Sequence, residues 1–307
     1  MKDGRIRPRR SKDIALSGKI AIARGEAGNH IKFARNGQVA TICCGGTGSG
    51  LIDQPCVLAM VIAAAIRHVA IMSPPLHRPL DPEIVLRAYS RGIFPMADSA
   101  ESTDVFWVEP RRRGVLPLAD FHLAKSLAKT LNSERFTLTA DRAFDAVLAA
   151  CAAPVPGRAE TWINPSIADT YRQLHRRGDA HSIEAWDADG NLAGGLYGVR
   201  IGGAFFGESM FTRQRDASKC ALAALVARLR IGGFALLDTQ FLTDHLAGFG
   251  AREVSARAYR IQLESALAVS ADFRVFDAAG SVSARLATTV SGPVSGKRIV
   301  QLLTQTS

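Results

Sequence analysis

Asp238 and Gln240 stand two residues apart at the end of the apolar run Phe234-Ala235-Leu236-Leu237. On a strand that spacing sends both side chains to one side, so a carboxylate and an amide can share a site. A carboxylate that holds the amide NH2 fixes the amide, leaving its carbonyl oxygen to accept a hydrogen bond from an incoming amine. Taken alone, the pair fits a strand end whose polar residues cap a loop equally well. A second patch, Phe205-Phe206-Gly207-Glu208-Ser209-Met210-Phe211, sets one carboxylate among four large apolar side chains. Burying that charge is costly unless it is paired or bonded to a ligand, which makes Glu208 a candidate site residue. A core strand with an edge-exposed Glu is the competing reading. Strict alternation would group Glu208 and Met210 with Phe206, and Phe205 with Phe211, but Gly207 can mark a bulge that breaks this order. Trp107 and Trp162 add flat rings able to stack on a nucleobase, worth about 1–3 kcal/mol per base, although core tryptophans are commoner. These are groups suited to a reaction in which an apolar acyl chain meets an amine.

Other chemistries find no matching spacing. Ser209 lies in Gly-Glu-Ser-Met, not in a G-x-S-x-G elbow, so no nucleophile triad is indicated. His181 and His245 have Glu184 and Asp244 nearby in sequence but form no H-E-x-x-H or similar spacing. No metal and no cofactor are expected. The glycine cluster ending at Gly50 is followed by Leu51-Ile52, whereas a phosphate loop needs a Lys-Ser/Thr pair there. Five cysteines without a C-x-x-C pair give neither a disulfide framework nor a zinc module, which points to a reducing compartment. Cys151 and Cys220 fall in apolar helical stretches and are read as packing residues. The run Val57 to Ile66 is too short to span a membrane and too far in for an ordinary signal peptide. A cytoplasmic protein without membrane insertion is expected.

The elements that must position these groups follow from periodicity. Asp81-Pro82 starts a helix carrying Ile84, Val85, Ala88 and Tyr89, ended by Gly92. Val105 to Val108 reads as a strand, and Pro110-Arg111-Arg112-Arg113-Gly114 as a solvated turn leading to Val115-Leu116. Lys125, Lys129 and Arg135 recur opposite Leu123, Leu127 and Leu131 on an amphipathic helix whose basic face is read as solvated. Strand-like runs at 136–138, 181–186, 192–199, 204–206 and 234–238 alternate with helical ones at 144–151, 167–176, 218–230 and 259–267, an α/β pattern on a mixed sheet. Residues 1 to about 50 have no sustained apolar period and read as disordered, and the last 35 or so residues as a weakly ordered extension. The formal charge of +10 divides unevenly: residues 1–71 carry 11 Lys+Arg against 4 Asp+Glu, net +7, which leaves +3 for the rest. Any nucleic-acid contact must therefore use a local patch.

Taken in order, the segments Tyr89-Ser90-Arg91-Gly92-Ile93-Phe94-Pro95, Phe106-Trp107, Thr161-Trp162-Ile163, His181-Ser182-Ile183-Glu184, Gly194-Gly195-Leu196-Tyr197-Gly198-Val199, Phe206-Gly207-Glu208-Ser209-Met210-Phe211, Ala217-Ser218-Lys219 and Asp238-Thr239-Gln240 resemble the leucyl/phenylalanyl-tRNA–protein transferase family from about Leu80 to Leu267. The resemblance implies an α+β fold: a small N-terminal α+β domain over 73–119, then a mixed-sheet domain like the GCN5-related N-acetyltransferases over 120–272. A disordered extension over 1–72 and a weakly ordered one over 273–307 would flank them. It implies transfer of Leu or Phe, with Met a further candidate, from the acceptor end of aminoacyl-tRNA to proteins with N-terminal Arg or Lys, marking them for degradation in the N-degron pathway. Asp238 and Gln240 would be the catalytic pair. Glu208 and Tyr171 would contact substrate, Trp107 and Trp162 would flank the terminal adenosine, and Phe205, Met210, Leu196 and Leu237 would line the side-chain pocket. Relatives often have two adjacent tryptophans where this chain has Phe106-Trp107, and often Met at the position of Leu196, changes that could shift the Leu/Phe preference. Relatives also usually begin close to the position of Met72, so the start of the chain is expected to be placed too early.

The chemistry agrees with that implication. A protein α-amino group, with a pKa near 7.7–8.0, is partly neutral at cellular pH, and the aminoacyl ester is already activated. The expectation is that Asp238 fixes the Gln240 amide and orientation supplies most of the acceleration. Two rivals stand beside it. An acyl-CoA-dependent N-acyltransferase would need glycines before a helix to cradle a pyrophosphate, where this chain has Arg213-Gln214-Arg215-Asp216-Ala217-Ser218-Lys219. A non-catalytic tRNA-binding module would bind charged tRNA without turnover.

Overall fold

The structure, a computed structural model, describes residues 22–24, 30–35, 38–43, 79–154, 160–278 and 293–305. The chain divides into two compact units, Met1–Pro75 and Leu76–Ser307. In the first, β1 (Ile22–Arg24), β2 (His30–Arg35) and β3 (Gln38–Cys43) form an antiparallel sheet in that order. Arg35 pairs with Gln38. These strands fall within the span 1–72 expected to be disordered. The glycine cluster lies outside the described residues.

The second unit opens with α1 (Pro82–Tyr89), where the Asp81 carboxylate accepts the Glu83 N–H at 2.9 Å and Pro82 occupies the first turn. The short strands β4 (Phe94–Met96) and β5 (Phe106–Val108) pair with each other. Then come β6 (Arg112–Val115), α2 (Lys125–Asn132), β7 (Thr137–Ala140) and α3 (Phe144–Ala152). Next, α4 (Pro165–Arg177) is capped by the Asn164 side chain and closed by left-handed Gly178. The chain continues through β8 (Ala180–Trp186), β9 (Leu192–Ile201), β10 (Ala204–Thr212), α5 (Ala217–Ile231), β11 (Leu236–Gln240), α6 (Asp244–Ala247), β12 (Arg252–Ser255), α7 (Ala256–Leu267), α8 (Val275–Ala278) and α9 (Gly296–Thr304).

Seven strands make one mixed sheet in the order β12-β6-β11-β10-β9-β8-β7, antiparallel throughout except for the β10–β11 pair. The mixed sheet and its alternating helices are those the periodicity predicts. One face, with Leu196, Phe205 and Leu237, packs on α5, α2 and α9. The other, with Tyr197, Phe206 and Leu236, packs on a core shared with Tyr89, Tyr171 and Tyr259.

Two expectations change. Arg112, Arg113 and Gly114, read as part of a solvated turn, lie on β6 between β12 and β11, and Arg113 is only 1 % exposed. A charge run reads as surface until a carboxylate is found to meet it inside the fold. Within the unit Leu76–Ser307, Tyr89 and Phe94 are buried in one core with Tyr259. Part of the tail beyond 273 is also packed: Phe273, Phe276, Ile299 and Leu303 are buried, and Val294 N–H donates to the Leu138 carbonyl at 2.8 Å. Ile299 and Leu303, four apart, form a helical stripe too short to stand out as a period.

Candidate active site

β10 and β11 pair in parallel only from Ala204–Phe206 to Leu236–Asp238. Beyond that point β10 follows β9 through a bulge at Gly207–Ser209, and β11 bends against β6 between Asp238 and Gln240. Where they part, a cavity of about 320 Å³ opens, lined by Leu196, Met210, Leu237, Leu222 and Leu225 of α5, and Leu246, with Glu208, Thr239 and Gln240 supplying polar groups. The bulge also sorts the side chains of β10. Phe205 and Met210 belong to one core and Phe206 and Phe211 to the other, which is the break in strict alternation that Gly207 allowed.

Behind the polar side lies a buried network. Asp238, with no exposed surface, accepts Arg113 Nε at 2.9 and 3.1 Å, Arg113 Nη2 at 2.6 Å, and the Tyr259 hydroxyl at 2.6 Å. Its Oδ1 also accepts the backbone N–H of Gln240 at 2.8 Å, the local bond of an Asx turn. The Gln240 side-chain NH2 goes elsewhere, to Glu208 Oε1 at 3.0 Å. The expected division of labour is thereby corrected: Asp238 fixes the backbone of Gln240, and Glu208 fixes its amide. The cause is local, because Gln240 has φ 54° and Phe241 N–H donates to the Thr239 carbonyl at 2.6 Å. A tight turn with a left-handed central residue replaces the simple strand end.

Glu208 Oε2 accepts the Tyr171 hydroxyl at 2.8 Å, and the Tyr89 and Tyr171 hydroxyls bond each other at 2.7 Å. Burial, helped by the charge of Asp238 and opposed by the tyrosines and Arg113, pushes the Glu208 carboxyl up to about 7. Burial and the Glu208 charge hold both tyrosines well above the usual phenol range, so they stay donors. Burial opposes the charge on Arg113, but the Asp238 carboxylate outweighs it and the net shift is upward.

Of the residues singled out from sequence, Leu196, Met210, Leu237, Glu208 and Gln240 line the cavity, while Asp238 and Tyr171 stand behind it in the network. Phe205 does not line it: fully buried, it lies flat against Phe273 at 5.7 Å and edge-on to Phe234. Trp107, 41 % exposed, lies on β5 opposite Pro95, and Trp162 is half-buried with its carbonyl accepting Ala97 N–H at 3.2 Å. Neither ring lines the cavity. Sequence reasoning missed Arg113, Tyr259 and the α5 wall. Cys151 and Cys220 are buried helix residues, as expected.

Residues 115–264 match the model of the leucyl/phenylalanyl-tRNA protein transferases, and residues 78–111 match that of their N-terminal domain. A leucyl/phenylalanyl-tRNA–protein transferase of Rhizorhabdus wittichii is 56 % identical over 248 residues, covering 74 % of this chain and 99 % of the relative. The chain belongs to the leucyl/phenylalanyl-tRNA–protein transferase family. Relatives of the same name from Nitrobacter winogradskyi (59 % identical, 63 % of this chain and 86 % of the relative) and Phenylobacterium zucineum (52 %, 74 % and 98 %) agree. Membership makes this chain an aminoacyl-tRNA–protein transferase, an enzyme whose substrates are a charged tRNA and a protein. Among the described residues no helix is long and apolar enough to cross a membrane.

Proposed function

We propose that this transferase moves Leu or Phe, with Met as a further donor, from aminoacyl-tRNA in the cytoplasm to the α-amino group of proteins beginning with Arg or Lys, marking them for degradation in the N-degron pathway. The observation that carries this reading is the apolar cavity of about 320 Å³ that meets Glu208 and Gln240 on its polar side. An apolar slot accepts both Leu and Phe because it discriminates weakly between shapes it can hold, while a polar aminoacyl group would be left unsatisfied.

In the proposed reaction the neutral acceptor amine attacks the ester carbonyl. The new C–N bond forms, the ester C–O bond breaks, and the tRNA 3′ oxygen leaves with the proton the amine gives up. Because Glu208 already holds the Gln240 NH2, the amide oxygen is the group left to accept from the amine. Leu196, Met210 and Leu237, now with Leu222 and Leu225, would hold the aminoacyl side chain, Glu208 and Tyr171 would contact the substrate, and Trp107 and Trp162 would flank the terminal adenosine. Phe205 would support the wall from behind. The single parallel pair that separates early in an otherwise antiparallel sheet supports a likeness to the GCN5-related N-acetyltransferases. An acyl-CoA donor is disfavoured by Asp216. It stands at the N-cap of α5, with its carboxylate bonded to Lys219 at 2.9 Å, where a pyrophosphate would meet negative charge.

One assay tests the reading: purified protein, Leu-tRNA or Phe-tRNA, and a peptide with N-terminal Arg. Transfer to the peptide is expected. Turnover with an acyl-CoA alone, or binding of charged tRNA without transfer, would overturn it.

A further inference from the structure

We infer that Arg113 and Tyr259 are positioning residues for the transfer step, acting through Asp238 to hold the Gln240 backbone in the left-handed turn that aims its amide. This deepens the proposed function and rests on its assignment of Gln240. Two features set the pair apart from an ordinary buried ion pair. The Arg113 guanidinium is held at every nitrogen: Nε and Nη2 grip Asp238, Nη1 donates to the Gly92 carbonyl at 2.8 Å, and its carbon lies 4.7 Å from both the Phe94 and the Tyr259 ring centroids. The same carboxylate then accepts the Gln240 N–H, so a rotation of Asp238 would release the turn.

The turn itself needs holding. Gln240 has φ 54°, a region disfavoured for a residue with a side chain, and such conformations persist only where the surroundings over-determine them. Here the determinants are the Asp238 bond to its N–H, the 2.6 Å bond closing Thr239–Phe241, and Gly114 on β6. A Cβ at Gly114 would lie 2.7 Å from the Phe241 carbonyl carbon and 2.9 Å from Leu242 N, so only glycine lets the turn sit on the strand. Beyond the turn's own residues, Arg113 and Gly114 of β6, Tyr259 of α7 and the Gly92 carbonyl complete its support, and none of them lines the cavity. Their contribution should fall on the rate of transfer and not on the binding of either substrate.

The test is a double-mutant cycle on the full chain. Tyr259→Phe keeps the ring over Arg113 and removes only the hydroxyl; Arg113→Lys keeps the charge and loses the fork. Each is measured alone and with Gln240→Ala, by single-turnover transfer from Leu-tRNA to the Arg peptide, with KM for both substrates and a thermal melt. We expect Tyr259→Phe to lower kcat by about tenfold, the scale of one hydrogen bond to a charged group, with both KM values within about twofold. In the Gln240→Ala background the same substitution should have no further effect. An undiminished effect there, or a normal rate in Tyr259→Phe, overturns the inference while leaving Gln240 in place. A normal rate in Gln240→Ala instead removes the assignment on which it rests. Should Arg113→Lys fail to fold, Tyr259→Phe carries the cycle alone.

Discussion

Glu208 is the acid of the site that burial brings into the neutral pH range. Its carboxyl sits at about 7 against an ordinary 4.5, because burial disfavours the charge and Asp238 opposes it further. For an acid raised in the folded state, the contribution to stability is complete below a pH of about 4.5 and is lost as pH rises through about 7. Glu208→Gln, which cannot ionise, should therefore match the parent protein near pH 5 and exceed it at pH 8 by on the order of 1–3 kcal/mol. Urea melts of both proteins at the two pH values measure this; an equal difference at both would show that Glu208 carries no such shift. Asp238, Gln240 and Glu208 were legible in the sequence because a polar residue inside an apolar strand is conspicuous. Which of them bonds which was not. That depends on two irregular backbones, the bulge at Gly207–Ser209 and the left-handed Gln240, and simple alternation describes neither. Arg113 was hidden for the opposite reason, since its neighbours Arg111 and Arg112 make the whole run look like surface.

Among the elements, the long periodic ones were the readable ones. The strand-like run at 192–199 becomes β9 and the helical run at 218–230 becomes α5, each within a residue or two. β6 and α9 escaped because four residues of strand, or two buried side chains on a short helix, give no period to detect. The missed helix is nonetheless part of the core, with Gly296 so close to α2 that a Cβ there would lie 2.1 Å from the Leu131 carbonyl oxygen. Ile299→Ala and Leu303→Ala should each cost about 2–5 kcal/mol, the usual range for emptying a buried aliphatic site. A thermal melt of the double variant should fall by roughly 10 °C, and an unchanged melt would mean that α9 does not dock in solution.

At the scale of the molecule, charge and structure divide at nearly the same place. The net +7 of residues 1–71 belongs to the unit Met1–Pro75, and the family match begins at residue 78. A chain beginning at Leu76 should therefore melt as the full chain does and keep kcat/KM for transfer within about twofold at moderate salt, where remote charges are screened. Loss of transfer from that shorter chain would give the first unit a part in tRNA capture.

The two faces of the central sheet carry different responsibilities under the proposed assignment. Leu196, Leu222, Leu225 and Leu237, which shape the cavity, belong to the core on the α5 side, whereas Phe94 and Tyr259, whose rings pack on Arg113, belong to the core on the other side. The sheet thus works as a partition between what is recognised and how fast it reacts. Under that assignment, substitutions in the α5 wall retune the acyl group admitted without disturbing the turn at Gln240.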